Sequence, residues 1–187
     1  MTVATDKRAS FDYRVILVVL VGSAVALGLG VYGNVHDPSG RSLVTLFFTA
    51  TINLKVWLAT GAVVLALFQL VSSLRIYGKI GSGPGPSWLG SVHRLTGTGA
   101  FLLTLPVAYH CLWALGFTAN NGTRVFAHSI VGCLFYGAFA AKVATLHTRG
   151  LPKWLLPVVG GTLFTAIVVV WFTSSFWFFT TVDFPGF

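Results

Sequence analysis

Five long apolar runs, separated by short polar or glycine- and proline-bearing breaks, set the layout of this chain. Crossing the hydrocarbon layer of a bilayer takes about 20 mostly apolar helical residues, and each run is of that order. The pattern predicts spans at residues 14–32, 52–76, 89–116, 123–147 and 154–180. An apolar shoulder at 43–50 either lengthens the second helix or lies along the membrane interface. The breaks have turn chemistry: Asp37-Pro38 and Ser39-Gly40, the glycine- and proline-rich stretch 78–86, Asn120-Asn121-Gly122, and Gly150-Leu151-Pro152. Of these, 78–86 is expected to be the one flexible connection. The fold expected is all-α: one integral membrane helical bundle over 1–187 with five transmembrane helices, no soluble domain and no low-complexity tail.

Composition agrees with that class. Of 187 residues, 55% are hydrophobic and 9% charged, more apolar surface than one soluble core of this size hides. The net charge of +8 raises nucleic acid as a partner. The basic residues flank apolar segments instead of lining a polar face, so the lipid bilayer is the expected partner and nucleic acid is not. Lys7, Arg8 and Arg14 before the first run resemble the start of a signal peptide. The run is too long for the apolar core of one and lacks a small-x-small cleavage site, so a retained helix is expected. With the N-terminus cytoplasmic and the C-terminus outside, nine Lys and Arg fall on the inner side and three (Arg41, Lys55, Arg124) on the outer. The expected location is a bacterial cytoplasmic membrane. The aromatic cluster from Trp171 to Phe179 then forms a belt at the outer interface.

Cys111 and Cys133 lie in apolar stretches, with no CxxC or CxxCH, which excludes covalent haem attachment and disfavours zinc or iron–sulfur chemistry. They read as small buried residues, with a disulfide between them left open. The four acidic residues, Asp6, Asp12, Asp37 and Asp183, all lie outside the spans. Without a carboxylate relay, a proton pump or proton-coupled transporter is disfavoured. Nucleotide loops, a Ser-His-Asp set and zinc signatures are absent from the sequence.

The candidate chemistry is histidine. An ionisable side chain in a membrane helix is costly and marks a functional site by default. His93 and His110 are 17 residues apart on the third span, and His128 and His147 are 19 apart on the fourth. At ~1.5 Å per residue these separations are roughly 25 and 28 Å, close to the membrane thickness. On antiparallel neighbouring helices His93 falls at the depth of His147, near the inner face, and His110 at that of His128, near the outer. Two pairs at two depths is the arrangement that two bis-histidine haems require. Neither pair is cofacial on its own helix, but the offsets mirror each other, so each pair stays mutually directed. Pro106 is placed to kink the third helix. Gly97 and Gly132 each follow a histidine by four residues, deleting a side chain on the same face where a flat porphyrin would lie. Ordinary small-residue helix packing explains one such glycine well; the repeat favours haem.

His93-Arg94-Leu95-Thr96-Gly97 and Ala127-His128-Ser129-Ile130-Val131-Gly132 resemble the helix starts of the cytochrome b561-like family of membrane di-haem cytochromes b. The resemblance covers about 88–147 and implies a helical bundle holding two b-type haems, electron transfer across the membrane, and His93 and His128 as axial ligands. His110 and His147 rest on spacing alone. Ligation from two helices is closer to that in cytochrome b subunits of respiratory complexes. Haem propionates would meet Arg94 and Lys142 on the inner side and Arg124 or Lys55 on the outer, where snorkelling to the interface is the plainer role. His36 reads as a loop residue, or as part of an outer metal or acceptor site.

The expected function is a membrane cytochrome b passing electrons across the bilayer between a quinone or quinol pool and a partner redox protein. The alternatives are a haem-bearing anchor subunit of a larger respiratory oxidoreductase and a haem-free transporter or scaffold.

Overall fold

The computed structural model describes residues 12–41, 44–117 and 122–182. Each apolar run becomes one helix: α1 (Tyr13–Val35), α2 (Thr51–Ile76), α3 (Leu89–Tyr109), α4 (Thr123–His147) and α5 (Leu155–Trp171). All five are long and apolar enough to cross a membrane, counting α3 to Leu115 and α5 to Thr181. Those extensions pass through wide π turns, His110–Leu115 after α3 and Phe172–Phe176 after α5. Proline has no N–H to give to the helical ladder, and Pro106 sits one turn before the first π turn.

Local chemistry sets the ends. The Asp12 carboxylate accepts from the Arg14 backbone N–H at 3.1 Å and caps α1. Gly122, at φ 89°, supplies the left-handed turn that opens α4. Ala50 is extended and residues 44–50 are non-helical, so the described part of the apolar shoulder does not lengthen α2. The 78–86 stretch is folded around one side chain: the Arg75 guanidinium donates to the carbonyls of Ile80, Ser82, Gly83 and Pro84. Its glycines permit the turn, and the arginine fixes it.

Packing gives the helices an order that differs from the chain order. α2 lies along α3, α4 along both α1 and α5, and α2 meets α5. The backbones of α3 and α4 stay apart. Helices α2 to α5 thus form a ring with a gap between α3 and α4, and α1 is strapped to the outside of α4. The ring closes around Ala62, Val63 and Ala66 of α2, Phe135 of α4, and Ala166 and Ile167 of α5. The Trp171 indole donates to Thr60 Oγ1 at 3.0 Å and the Ser175 hydroxyl to the Val56 carbonyl at 3.2 Å, joining α5 to α2.

α1 meets α4 where side chains are smallest. A Cβ on Gly22 would fall 2.8 Å from the Gly137 carbonyl oxygen, and one on Gly137 2.5 Å from that of Gly22. Close backbone approach at small residues is how helices associate in lipid, where no hydrophobic force drives them together. The opposite face of α1 carries exposed Leu17, Leu20, Leu27 and Val31, suited to lipid tails. Past its end, the Phe117 N–H donates to the Gly33 carbonyl, and those of Ser39 and Gly40 to the Trp113 and Ala114 carbonyls. The 36–41 connection is thereby laced to the first π turn.

Candidate functional site

The four span histidines share one local device. His93 Nδ1 lies 2.7 Å from Ser72 Oγ, His128 Nδ1 3.0 Å from Thr173 Oγ1, His110 Nδ1 2.8 Å from the Pro106 carbonyl, and His147 Nδ1 2.8 Å from the Val143 carbonyl. A carbonyl only accepts, so His110 and His147 carry their proton on Nδ1. The hydroxyls lead to the same result. Ser72 Oγ sits 2.7 Å from the Phe68 carbonyl and Thr173 Oγ1 2.8 Å from the Val169 carbonyl. Where each hydroxyl gives its single proton to its own helix, its oxygen accepts from the imidazole. In the Nδ1–H tautomer all four rings are oriented through Nδ1, with the lone pair on Nε2. That is the state in which a histidine ligates a metal through Nε2.

A cavity of about 420 Å³ opens inside the ring at the end that holds His128. His128, Gly132 and Tyr136 of α4 form one wall; Thr104, Ala108 and Cys111 of α3 face them. Most of the remaining lining is apolar and comes from all four helices α2 to α5 and the π turns that extend α3 and α5. A Cβ on Gly132 would meet nothing within 4 Å, so the side chain missing one turn after His128 opens onto free space. Lys55 and Arg124 are the cationic lining residues. Arg124 donates to the Thr173 carbonyl and stacks 3.7 Å over the Trp177 ring, which steadies its charge at an apolar helix end. Between this cavity and the His93 end, Phe101 stacks on Phe139 at 3.8 Å and the Tyr136 hydroxyl donates to the Thr104 carbonyl at 3.0 Å. These aromatic rings bridge the α3–α4 gap at mid-depth.

The residues at the cavity fit a haem. An imidazole with its Nε2 lone pair stands beside a side-chain-free patch, in an apolar space with two cations for propionates. The other end is arranged differently. His93 is half-buried and turned to α2, and Gly97 is not an open notch: a Cβ there would fall 2.9 Å from Gln69 Oε1. The Gln69 amide fills that space, donating to the His93 carbonyl and to Thr96 Oγ1. Lys142 of α4 is half-buried. Arg94 is exposed and bonded to Ser91, and His147 is exposed on the last turn of α4.

His110 is not brought to the His128 cavity. It lines a separate groove with Leu102, Leu105 and Tyr109 on another side of α3. The expectation of α3 and α4 as directly packed neighbours holds only through their long aromatic side chains. His36 is half-buried, its ring between Tyr32 at 5.0 Å and Trp113 at 4.7 Å, and its Nε2 has no partner among the described residues. No group of three or more potential metal-ligating side chains occurs among the described residues, which disfavours a multi-ligand metal-ion cluster and does not bear on axial ligation of a haem. Both cysteines are free thiols, so the disulfide left open by the sequence is not formed. The hydroxyls of Ser72 and Thr173 and the Gln69 amide are site residues that sequence reading missed. Their partners are 21, 45 and 24 residues away, and isolated Ser, Thr or Gln in an apolar helix gives no local signal.

The chain is thus an all-α protein whose five long helices are apolar enough to cross a membrane and which holds a largely apolar cavity beside His128. The chain belongs to the family of unknown function DUF6529, which matches residues 15–186. No curated protein and no solved structure matches it.

Proposed function

We propose that this protein is a membrane cytochrome b that passes electrons across the bilayer between a quinol pool and a partner redox protein. The observation that carries this reading is the His128 cavity, with its Nδ1-anchored imidazole, the open patch at Gly132 and the cations Lys55 and Arg124. His128 would hold the iron there, Thr173 would fix the ring, and Arg124 and Lys55 would meet the propionates. Bound haem supplies reversible one-electron transfer. A second haem, as the histidine spacing implies, would take His93, oriented by Ser72, and His147 as its ligands, and requires the Gln69 amide to leave the space beside Gly97. The Lys and Arg asymmetry supports a cytoplasmic N-terminus, with the His128 cavity towards the outer face.

The test is the visible spectrum of the purified chain from haem-replete cells. A Soret band with two haems per polypeptide is expected. His128→Ala and Gly132→Trp should each remove the same haem, because the indole would occupy the open patch beside His128. Both variants should keep their helix content by circular dichroism. A colourless wild-type preparation rejects the proposal.

A further inference from the structure

Past the Phe101–Phe139 stack, towards the end of the bundle that holds His93 and His147, the α3–α4 gap is open. The stack fixes which residues face each other there. On α3, Thr98 and Arg94 lie three and seven residues before Phe101, on its side of the helix. On α4, Lys142 and Leu146 lie three and seven residues after Phe139, on its side. Arg94, Thr98 and Leu146 are exposed, and Lys142 is half-buried. These facing side chains are therefore not packed on one another. They wall a cleft whose floor is the two stacked rings.

Two cations stand on its walls. By helical rise Arg94 lies about 10 Å past the stack and Lys142 about 5 Å, a difference the long lysine stem spans. Arg94 donates to Ser91 Oγ at 3.2 Å, and Lys142 makes no hydrogen bond or ion pair among the described residues. An unpaired ammonium more than one turn inside an apolar helix is costly. The chain has no acid to offer: Glu is absent, and Asp12, the acidic residue described at this end, caps α1. The other cations here are placed differently. Arg14 and Arg75 are given to backbone carbonyls, and Lys79, Arg149 and Lys153 are exposed in connections.

The position selects the anion. Trp88 and Trp154, at the N-caps of α3 and α5, are 58% and 56% exposed and suit the membrane–water boundary. Arg94 is six residues beyond Trp88, and Lys142 five before the end of α4, so both lie about 8–9 Å inside that boundary. With stems extended outwards, their charges reach the level of lipid phosphates. The cleft opens sideways between helices apolar enough to cross a membrane, and Leu146 and the stacked rings offer surface to an acyl chain. Arg and Lys together take phosphate oxygens well, and basic pockets between spanning helices bind acidic head groups.

We propose that this cleft holds an anionic phospholipid, its phosphate between Arg94 and Lys142 and an acyl chain running down to the Phe101–Phe139 stack. The site goes beyond the electron-transfer reading and needs no haem at either end. A zwitterionic lipid fits less well, because its own ammonium already offsets its phosphate.

The experiment uses the full chain, delipidated in a non-ionic detergent, with bound lipid counted by native mass spectrometry. The probes are dioleoyl phosphatidylglycerol, dioleoyl phosphatidylcholine, which has the same chains, and inorganic phosphate. Wild type should bind one phosphatidylglycerol about tenfold more tightly than phosphatidylcholine. Lys142→Gln and Arg94→Gln should each reduce that preference to about twofold. Lys153→Gln removes the same charge from an exposed connection and should leave the preference intact. Arg94 is exposed, so its variant keeps the test available if Lys142→Gln does not fold. Equal binding of the two lipids by wild type overturns the proposal. A preference lowered as much by Lys153→Gln as by Lys142→Gln overturns it too, because the charge of the whole end would then be responsible. Inorganic phosphate that displaces the lipid at equal concentration assigns the cleft to a free anion and also overturns it. A colourless chain that passes these tests would uphold the cleft and refute the cytochrome, so the two failures are distinguishable.

Discussion

At Gly97 the absent side chain makes room for an amide. The Gln69 carboxamide donates to the His93 carbonyl and Thr96 Oγ1 while its Oε1 fills the space a Cβ would take. Gly97→Ala should therefore displace a flexible side chain and cost about 1 kcal/mol. In a Gln69→Ala background the same change should cost less, with a coupling of at least about 0.5 kcal/mol in a double-mutant cycle read by unfolding in micelles. Additive effects would mean that the amide and the glycine act independently. The glycine itself was visible in the sequence as one turn beyond a histidine, and so was its twin at Gly132. What fills one notch and leaves the other open was not. That depends on a residue 28 positions earlier in the chain, on another helix. The Nδ1 anchors divide in the same way. Pro106 and Val143 lie four residues before their histidines, within reach of a local reading, whereas Ser72 and Thr173 do not.

The helices themselves were the most legible part of the molecule. α4 runs over Thr123–His147, the bounds its composition predicts, because a polar and glycine-bearing break precedes it and Thr148 leaves the helical region after it. The π turns were not legible. Pro106 announces a disturbance in α3, but whether the ladder kinks or widens is settled by packing, and nothing local marks the turn in α5. This matters for His110, whose direction at the start of a π turn cannot be counted off at 100° per residue. The contact between α1 and α4 depends on two glycines. Gly137→Ala should push backbone against backbone at Gly22 and destabilise the chain by about 1–3 kcal/mol. Gly28→Ala, on α1 with Gly22, meets nothing within 4 Å and should leave the unfolding midpoint unchanged or slightly raised. Thermal unfolding in detergent compares the two; equal effects would show that the crossing is not the anchor.

At the scale of the whole molecule, sequence gave the number of helices and not their neighbours. A short connection between α3 and α4 suggested direct packing, yet α3 lies along α2, α4 along α1 and α5, and an aromatic bridge spans the space between. In lipid, helix partners are chosen by small-residue contacts and scattered hydrogen bonds, and neither leaves a periodic trace. The ring of α2 to α5 supplies nearly all the cavity wall; Leu29 is the α1 residue in it. Helix α1 can thus be viewed as an independently inserted piece that docks after the remainder has assembled. A gene divided in the connection between α1 and α2 should then yield two polypeptides that co-purify, held by the glycine crossing and the laced end. Adding Gly137→Ala to the larger polypeptide should release the smaller one. If the divided halves never reassociate, covalent continuity of the first two helices is doing work that their contacts do not reveal.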